Sequence, residues 1–143
     1  MAREYETLLH RWFEEVWNQQ NEAAIDEMLA DDAKINGFAD ENGKTLCGCE
    51  AFKGLQRTFL SAYPDLHITI EDSLTDGETI AVRCKVRATH TGDGLGITPT
   101  NQPIEFTGMG FAKVKDGKIV EAWNEFDFMK MYTQVGALTL NLK

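Results

Sequence analysis

The sequence predicts an α+β domain: three N-terminal helices covered by a curved antiparallel sheet that wraps around them as a cone. Three observations carry this. Apolar residues recur at helical spacing up to Tyr63, they alternate with period two from Leu66 onward, and Asp76-Gly77 and Asp116-Gly117 punctuate the alternating part. Asp-Gly between strand-like runs marks a tight hairpin, because it tolerates the positive φ that such turns need. Helices followed by an antiparallel meander segregate onto one face of the sheet, and a sheet curved around them leaves a mouth for a small apolar molecule. At 143 residues and 43% hydrophobic content, one domain over 1–143 has enough chain for a real core.

Taken in order, Tyr5, Leu8, Leu9, Trp12, Phe13 and Val16 make one apolar face of a first helix, with Arg3, Arg11, Glu14 and Glu15 opposite. Polar residues from Asn18 to Asn21 interrupt it, and Asn21 is placed to cap a second, short helix through Ala24, Ile25, Met28 and Leu29. Ala33 to Phe38 reads as a small strand inserted among the helices, and Asp40-Glu41-Asn42-Gly43 as a turn. Helical spacing returns through Phe52, Leu55, Phe59 and Ala62 until Pro64 stops it.

Leu66 to Asp72 then alternates as a half-buried strand. Thr79 to His90 follows, with Val82, Cys84, Val86, Ala88 and His90 on one face and Arg83, Lys85 and Arg87 on the other. Lys85 and Arg87 read as a solvated stripe paired with acids on neighbouring strands, whereas Arg83, deeper in the strand, is expected to turn inward. Thr91 to Pro103, rich in Gly and Thr, is a long loop of the kind that carries function. Gly108 to Lys115 should pair with Lys118 to Asp127, and Met129 to Val135 forms a short last segment ended by Gly136. The tail, Leu138 to Lys143, alternates weakly enough to cover a sheet edge or a partner.

Alternation along the final strand sets Trp123, Glu125 and Asp127 on one face and Val120, Ala122, Asn124 and Phe126 on the other. If the first of these faces lines the cavity, Asp127 is a general base; if it meets water, Asp127 is a surface acid.

Fourteen basic residues against 23 acidic ones give a formal charge of −9, which disfavours nucleic acid and anionic membrane partners. No run of about 18 apolar residues appears, and Met1 leads directly into the amphipathic pattern, so the reading is cytoplasmic. Cys47, Cys49 and Cys84 are an odd set in such a chain. They read as reduced thiols rather than a disulfide framework or a metal site.

Trp12 to Asn18, Tyr63-Pro64-Asp65-Leu66, Arg87-Ala88-Thr89-His90-Thr91-Gly92, and Asp116-Gly117-Lys118-Ile119-Val120-Glu121-Ala122-Trp123 with Asp127 resemble the SnoaL-like polyketide cyclase family, within the nuclear-transport-factor-2-like superfamily. The resemblance runs over nearly the whole chain. It implies the cone-shaped α+β barrel, a homodimer packed sheet to sheet, and an intramolecular aldol condensation that needs no metal or organic cofactor. By position after the hairpin tryptophan, the acid/base aspartate falls on Asp127. Burial in an apolar cavity would raise its pKa from about 3.9 towards the range a base needs. In the cyclases polar side chains hold the substrate carbonyls. With no histidine between Ile104 and Lys115, the candidates are His90, Arg83, Asn36 and Asn124, with Trp123 as wall. Two readings stay beside the cyclase. One is an epoxide hydrolase or isomerase using Asp127, Glu125 and Arg83; the other is a non-catalytic binder of small molecules on the same fold.

Overall fold

The computed structural model describes residues 7–39 and 42–139. Arg3 and Tyr5 of the first helix, the Asp40-Glu41 half of the turn and the tail from 140 on therefore lie outside the described residues.

Helix α1, Leu8–Arg11, starts at a capping box in which the Thr7 side chain accepts from the His10 N–H and the Thr7 N–H donates to His10 Nδ1. It continues as a π-helical stretch, Trp12–Asn18, ending with Gln19 N–H donating to Glu14 O at 2.8 Å. The wider turn puts Trp12, Phe13, Val16 and Trp17 all on the buried side. The buried Gln56 donates to the Val16 carbonyl at 2.7 Å. Asn21 Oδ1 accepts from the Ala23 N–H ahead of α2, Ala23–Met28. The chain then enters β1, Leu29–Ala39, longer than the strand expected there, and a short β2, Thr45–Cys47, that the sequence did not announce. Helix α3, Gly48–Ala62, ends one residue before Tyr63-Pro64.

Strands β3, His67–Asp76, β4, Thr79–Thr89, β5, Pro103–Lys115, and β6, Lys118–Phe126, follow, and α4, Phe128–Gln134, closes the described fold. They form one sheet in the order β2-β1-β6-β5-β4-β3. The last hairpin pairs the expected stretches, from Gly108 opposite Phe126 to Lys115 opposite Lys118, with a bulge between Lys113 and Val114 that shifts the register by one residue, and its turn residues Asp116 and Gly117 have φ of 52° and 79°. The meander is antiparallel throughout. The inserted strand joins it differently, because β1 runs parallel to β6, with Asn36 opposite Trp123.

Two amide side chains and one carboxylate fasten helices to strands. Asn18 pairs with the backbone of Ile68 on edge strand β3, donating to its carbonyl at 2.9 Å and accepting from its N–H at 2.7 Å. Gln20 donates to the Pro64 carbonyl at 2.7 Å. Asp65 accepts from the N–H and the hydroxyl of Thr89 at 2.7 and 2.8 Å, so the Pro-Asp-Leu and Thr-His-Thr-Gly motifs meet each other. The long loop after β4 returns to α3, where Gly92 N–H donates to Ala62 O. A Cβ at Gly92 would fall 1.7 Å from the Ser61 carbonyl, so only glycine lets the loop come this close. Among the described residues no helix is long and apolar enough to cross a membrane.

Candidate functional site

The concave side of the sheet and the helices enclose an apolar cavity. Its floor is made by strand residues that alternation turns inward. On β5 these are Phe106, Gly110 and Ala112, and on β6 they are Ala122, Asn124 and Phe126. Of three consecutive small inward positions on β5, Gly110 and Ala112 open the floor, while the Phe126 ring covers Gly108. Trp12, Phe13 and Trp17 of the first helix and Phe52 and Phe59 of α3 form the roof. Trp12 and Trp17 each meet Phe52 edge to face, at 5.0 and 5.9 Å between ring centroids. Phe128, the first residue of α4, inserts into one end, stacked on Phe59 at 5.8 Å and Phe126 at 6.3 Å and tilted against Phe38 and Phe106.

The space free of atoms amounts to about 750 Å³ when the part open to solvent is counted, yet a water-sized sphere can be centred in only about 70 Å³ of it. The smaller figure decides what enters: this is a slot, wide enough for water but needing its aromatic walls to part for a fused ring system. Among the described residues, Asn124 is the single polar side chain in its lining apart from the indoles of Trp12 and Trp17, and no carboxylate, imidazole or ammonium group borders it.

Asn124 is held in one orientation. Its Nδ2 donates to the Asn36 carbonyl at 3.1 Å, and Asn36 is fixed in turn by donating from Nδ2 to Ala122 O at 3.0 Å and Glu121 Oε2 at 3.1 Å. Gly37, with φ of 98°, presses so close to β6 that a Cβ there would lie 2.0 Å from the Asn124 carbonyl oxygen. Asn124 Oδ1 is left on the cavity side, 3.9 Å from where a Cβ on Gly110 would stand.

The other expected site residues do not converge on this cavity. Asp127 is exposed; its carboxylate accepts from the Lys130 N–H at 3.0 Å and caps α4, while its own N–H pairs with Thr107 O. The inward face of β6 is the one bearing Asn124 and Phe126, so Trp123, Glu125 and Asp127 all look outward, which corrects the assignment of Asp127 to a dry pocket. Trp123 packs edge to face on Phe111 at 5.6 Å, outside the cone. Arg83 also turns outward rather than inward and pairs with Glu71 at 2.9 Å, because β4 spends its inward positions on Ile80, Val82, Cys84, Val86 and Ala88. Arg83, Glu125 and Asp127 do share a groove on that convex face with Thr107, Gly108, Met109 and Phe126, but it is open to solvent and leaves both acids exposed. Lys85 and Arg87 pair with Glu71 and Glu105 as the sequence suggested.

His90 is fully buried beneath the long loop rather than at the cavity, accepting at Nδ1 from the Thr100 N–H at 3.3 Å and stacked obliquely on Tyr63 at 5.6 Å. Its Nε2 and the Tyr63 hydroxyl have no partner among the described residues, and burial pushes the Tyr63 hydroxyl up to about 12. Asn36 serves the backbone of β6 and reaches the cavity only through Asn124. Cys47 is exposed; Cys49 is buried and donates to Leu29 O at 3.3 Å, and burial pushes the Cys84 thiol up to about 12. The residues that sequence reasoning passed over are Gly108, Gly110 and Phe128. The hairpin turn alone would set the glycines opposite Glu125 and Trp123; a bulge between Lys113 and Val114, with no signal in the sequence, moves them opposite Phe126 and Asn124.

A family model described as SnoaL-like polyketide cyclase matches residues 7–135. Among solved structures the chain is similar to IdmH, a putative polyketide cyclase from Streptomyces antibioticus, at 30% identity over 90% of this chain and 96% of that one, with a TM-score of 0.78. TsrD from Streptomyces laurentii is 21% identical over 96% and 99% of the two chains, TM-score 0.79. A protein of ketosteroid isomerase-like fold from Catenulispora acidiphila, solved with trimethylamine, is 15% identical over 93% and 95%, TM-score 0.75. These last two likenesses speak for the fold alone. No curated protein matches the chain.

Proposed function

The chain belongs to the SnoaL-like polyketide cyclase family, and from that premise we propose that its cone takes up a flat, uncharged, polyketide-type molecule and holds it folded for a cofactor-independent intramolecular aldol closure. The observation that supports this reading is the lining: an aromatic and aliphatic slot with one fixed amide. An extended poly-carbonyl chain is flexible in water, and confining it with the reacting carbons near contact distance converts a rare encounter into a resident geometry, an effect that can supply about 7–11 kcal/mol of a barrier. A methylene between two carbonyls is acidic and readily enolises, so confinement and exclusion of water do most of what such a closure requires. Asp127, exposed and occupied in capping α4, is given no part in the chemistry. The test is single-turnover closure of an aromatic polyketide ester by the wild type and by Asp127→Asn, which keeps an N-cap side chain while removing the charge. Equal rates are expected, and a loss of a hundredfold or more would restore Asp127 as the base and overturn this reading.

A second reading, that the protein binds such molecules without turning them over, is favoured by the lack of any titratable group in the lining among the described residues. Tight binding of the ester with no closure above the uncatalysed rate would select it.

The same proposal includes a homodimer through the convex face of the sheet, where Met109 and Phe111 are 59% and 46% exposed beside Trp123. Sedimentation of the wild type as a dimer and of Met109→Glu as a monomer is the expected result; a wild-type monomer at micromolar concentration would remove the dimer from the proposal.

A further inference from the structure

The cone has a polarity as well as a shape. Asn124 commits Nδ2 to Asn36 O, and rotating the amide by half a turn would set Oδ1 against that carbonyl, exchanging a hydrogen bond for two facing acceptors. Asn36 cannot move to relieve this, since its side chain is tied to Glu121 and Ala122 and the next residue, Gly37, is already against the Asn124 backbone. The atom that faces the bare backbone of Gly110 is therefore an acceptor, Oδ1, which receives no hydrogen bond among the described residues.

We propose that Asn124 makes the cone select ligands that bring an O–H donor, a phenol or the enol form of a β-dicarbonyl, to the Gly110 end, over ligands that bring only a ketone or ether oxygen there. This rests on the reading of the cone as the ligand site. A carbonyl seated at that point would take the room of any water in the slot and meet another acceptor, and a site whose polar atom the wrong ligand leaves unpaired discriminates against that ligand. Among the described residues an ionised ligand finds no counter-charge in the lining, so the selected species is neutral. For a polyketide this favours the enol tautomer, with its hydroxyl anchored on Asn124.

The experiment compares three molecules of nearly equal shape, 1-naphthol, 1-methoxynaphthalene and 1-tetralone, by ligand-observed NMR titration of the whole chain and of Asn124→Leu. In the wild type 1-naphthol is expected to bind at least about fivefold more tightly than either of the others, the worth of one buried neutral hydrogen bond. In Asn124→Leu that advantage should vanish while binding of the ether and ketone is kept or improved. An advantage absent from the wild type, or one that survives in Asn124→Leu, overturns the selection by Asn124 and leaves the cone as ligand site standing. If none of the three binds, the reading of the cone falls, and this inference with it. The wild-type comparison decides even if the variant does not fold.

Discussion

The small residues on the floor of the cone yield a paired test that separates stability from binding. Replacing Gly110 by Ala introduces a methyl whose nearest neighbours would be Val82 Cγ2 at 3.4 Å, Phe13 Cζ at 3.8 Å and Asn124 Oδ1 at 3.9 Å, which are ordinary contact distances. The variant loses unfolded-state entropy, worth about 0.4–1 kcal/mol, and buries one more methyl, worth about 0.8 kcal/mol. Gly110→Ala should therefore be more stable by about 1–2 kcal/mol, a rise in Tm of roughly 3–6 °C for a chain of this size. Because the new methyl stands in front of Asn124 Oδ1, the same change should weaken 1-naphthol binding at least tenfold. Two residues earlier the outcome reverses. A Cβ at Gly108 would lie 2.2 Å from Phe126 Cδ2 and 2.4 Å from Cγ, so a packed ring must move. Gly108→Ala should cost about 1–3 kcal/mol, as overpacking does. Thermal melts followed by circular dichroism and titrations on the same samples read both numbers. If Gly110→Ala destabilises, or stabilises without touching affinity, the floor described above is not where ligand sits.

Three further outcomes follow from contacts elsewhere. Gln56→Leu removes the side chain that satisfies the buried Val16 carbonyl and should cost about 1–3 kcal/mol in urea unfolding; a change below about 0.5 kcal/mol would mean the carbonyl has another partner. In native protein one of the three thiols, Cys47, should react rapidly with a disulfide reagent, while burial holds Cys49 and Cys84 unreactive until denaturant is added. Stability should fall at both ends of the pH scale. Glu14, Glu22 and Glu105 are held below the usual carboxylate range by side-chain hydrogen bonds, foremost from Asn18, Arg57 and Arg87, so their contribution is present above the unfolded value and lost as pH falls through the folded one. Tyr63 and Cys84 are pushed up to about 12, so from their ordinary values of 10 and 9 upward the unfolded chain ionises first and stability declines towards pH 12. A flat urea midpoint from pH 4 to 3, or from 9 to 11, would contradict one arm or the other.

The elements were legible where local chemistry decides them. Asp116-Gly117 fixed a two-residue turn and the pairing beside it, though a bulge between Lys113 and Val114 shifts the rest of the β5–β6 register by one residue. The alternation of β4 sorted its inward and outward residues correctly, Arg83 included, and the error lay in expecting Arg83 to depart from it. What alternation cannot supply is the direction in which a sheet curves. Trp123, Glu125 and Asp127 on one side of β6 and Ala122, Asn124 and Phe126 on the other carry similar amounts of apolar surface, so a single strand does not say which set is concave. The partner strand does say, because Gly110 and Ala112 stand opposite Asn124 and Ala122 and leave volume unfilled on the inner face, while the Phe126 ring fills the space at Gly108. The motifs that pointed to a known family proved in part to be fastenings. Asp65 and Thr89 lock a helix end to a strand, and Tyr63 with His90 anchors a loop, so their presence speaks for the fold more than for any reaction.

The parallel contact of β1 with β6 also governs the order in which the molecule can be made. One edge of β1 pairs early, with Lys34, Ile35 and Ala39 opposite Cys47, Leu46 and Thr45 of β2, but its other edge finds its mates at Ile119 to Trp123, so a nascent chain emerging from the ribosome carries that edge unpaired until β6 has been synthesised. Assembly is then completed from the far end, by the last hairpin sliding in beside the first strand. A fold with so distant a final contact forms slowly, and a chain released before β6 would keep its helices without a wall to lean on.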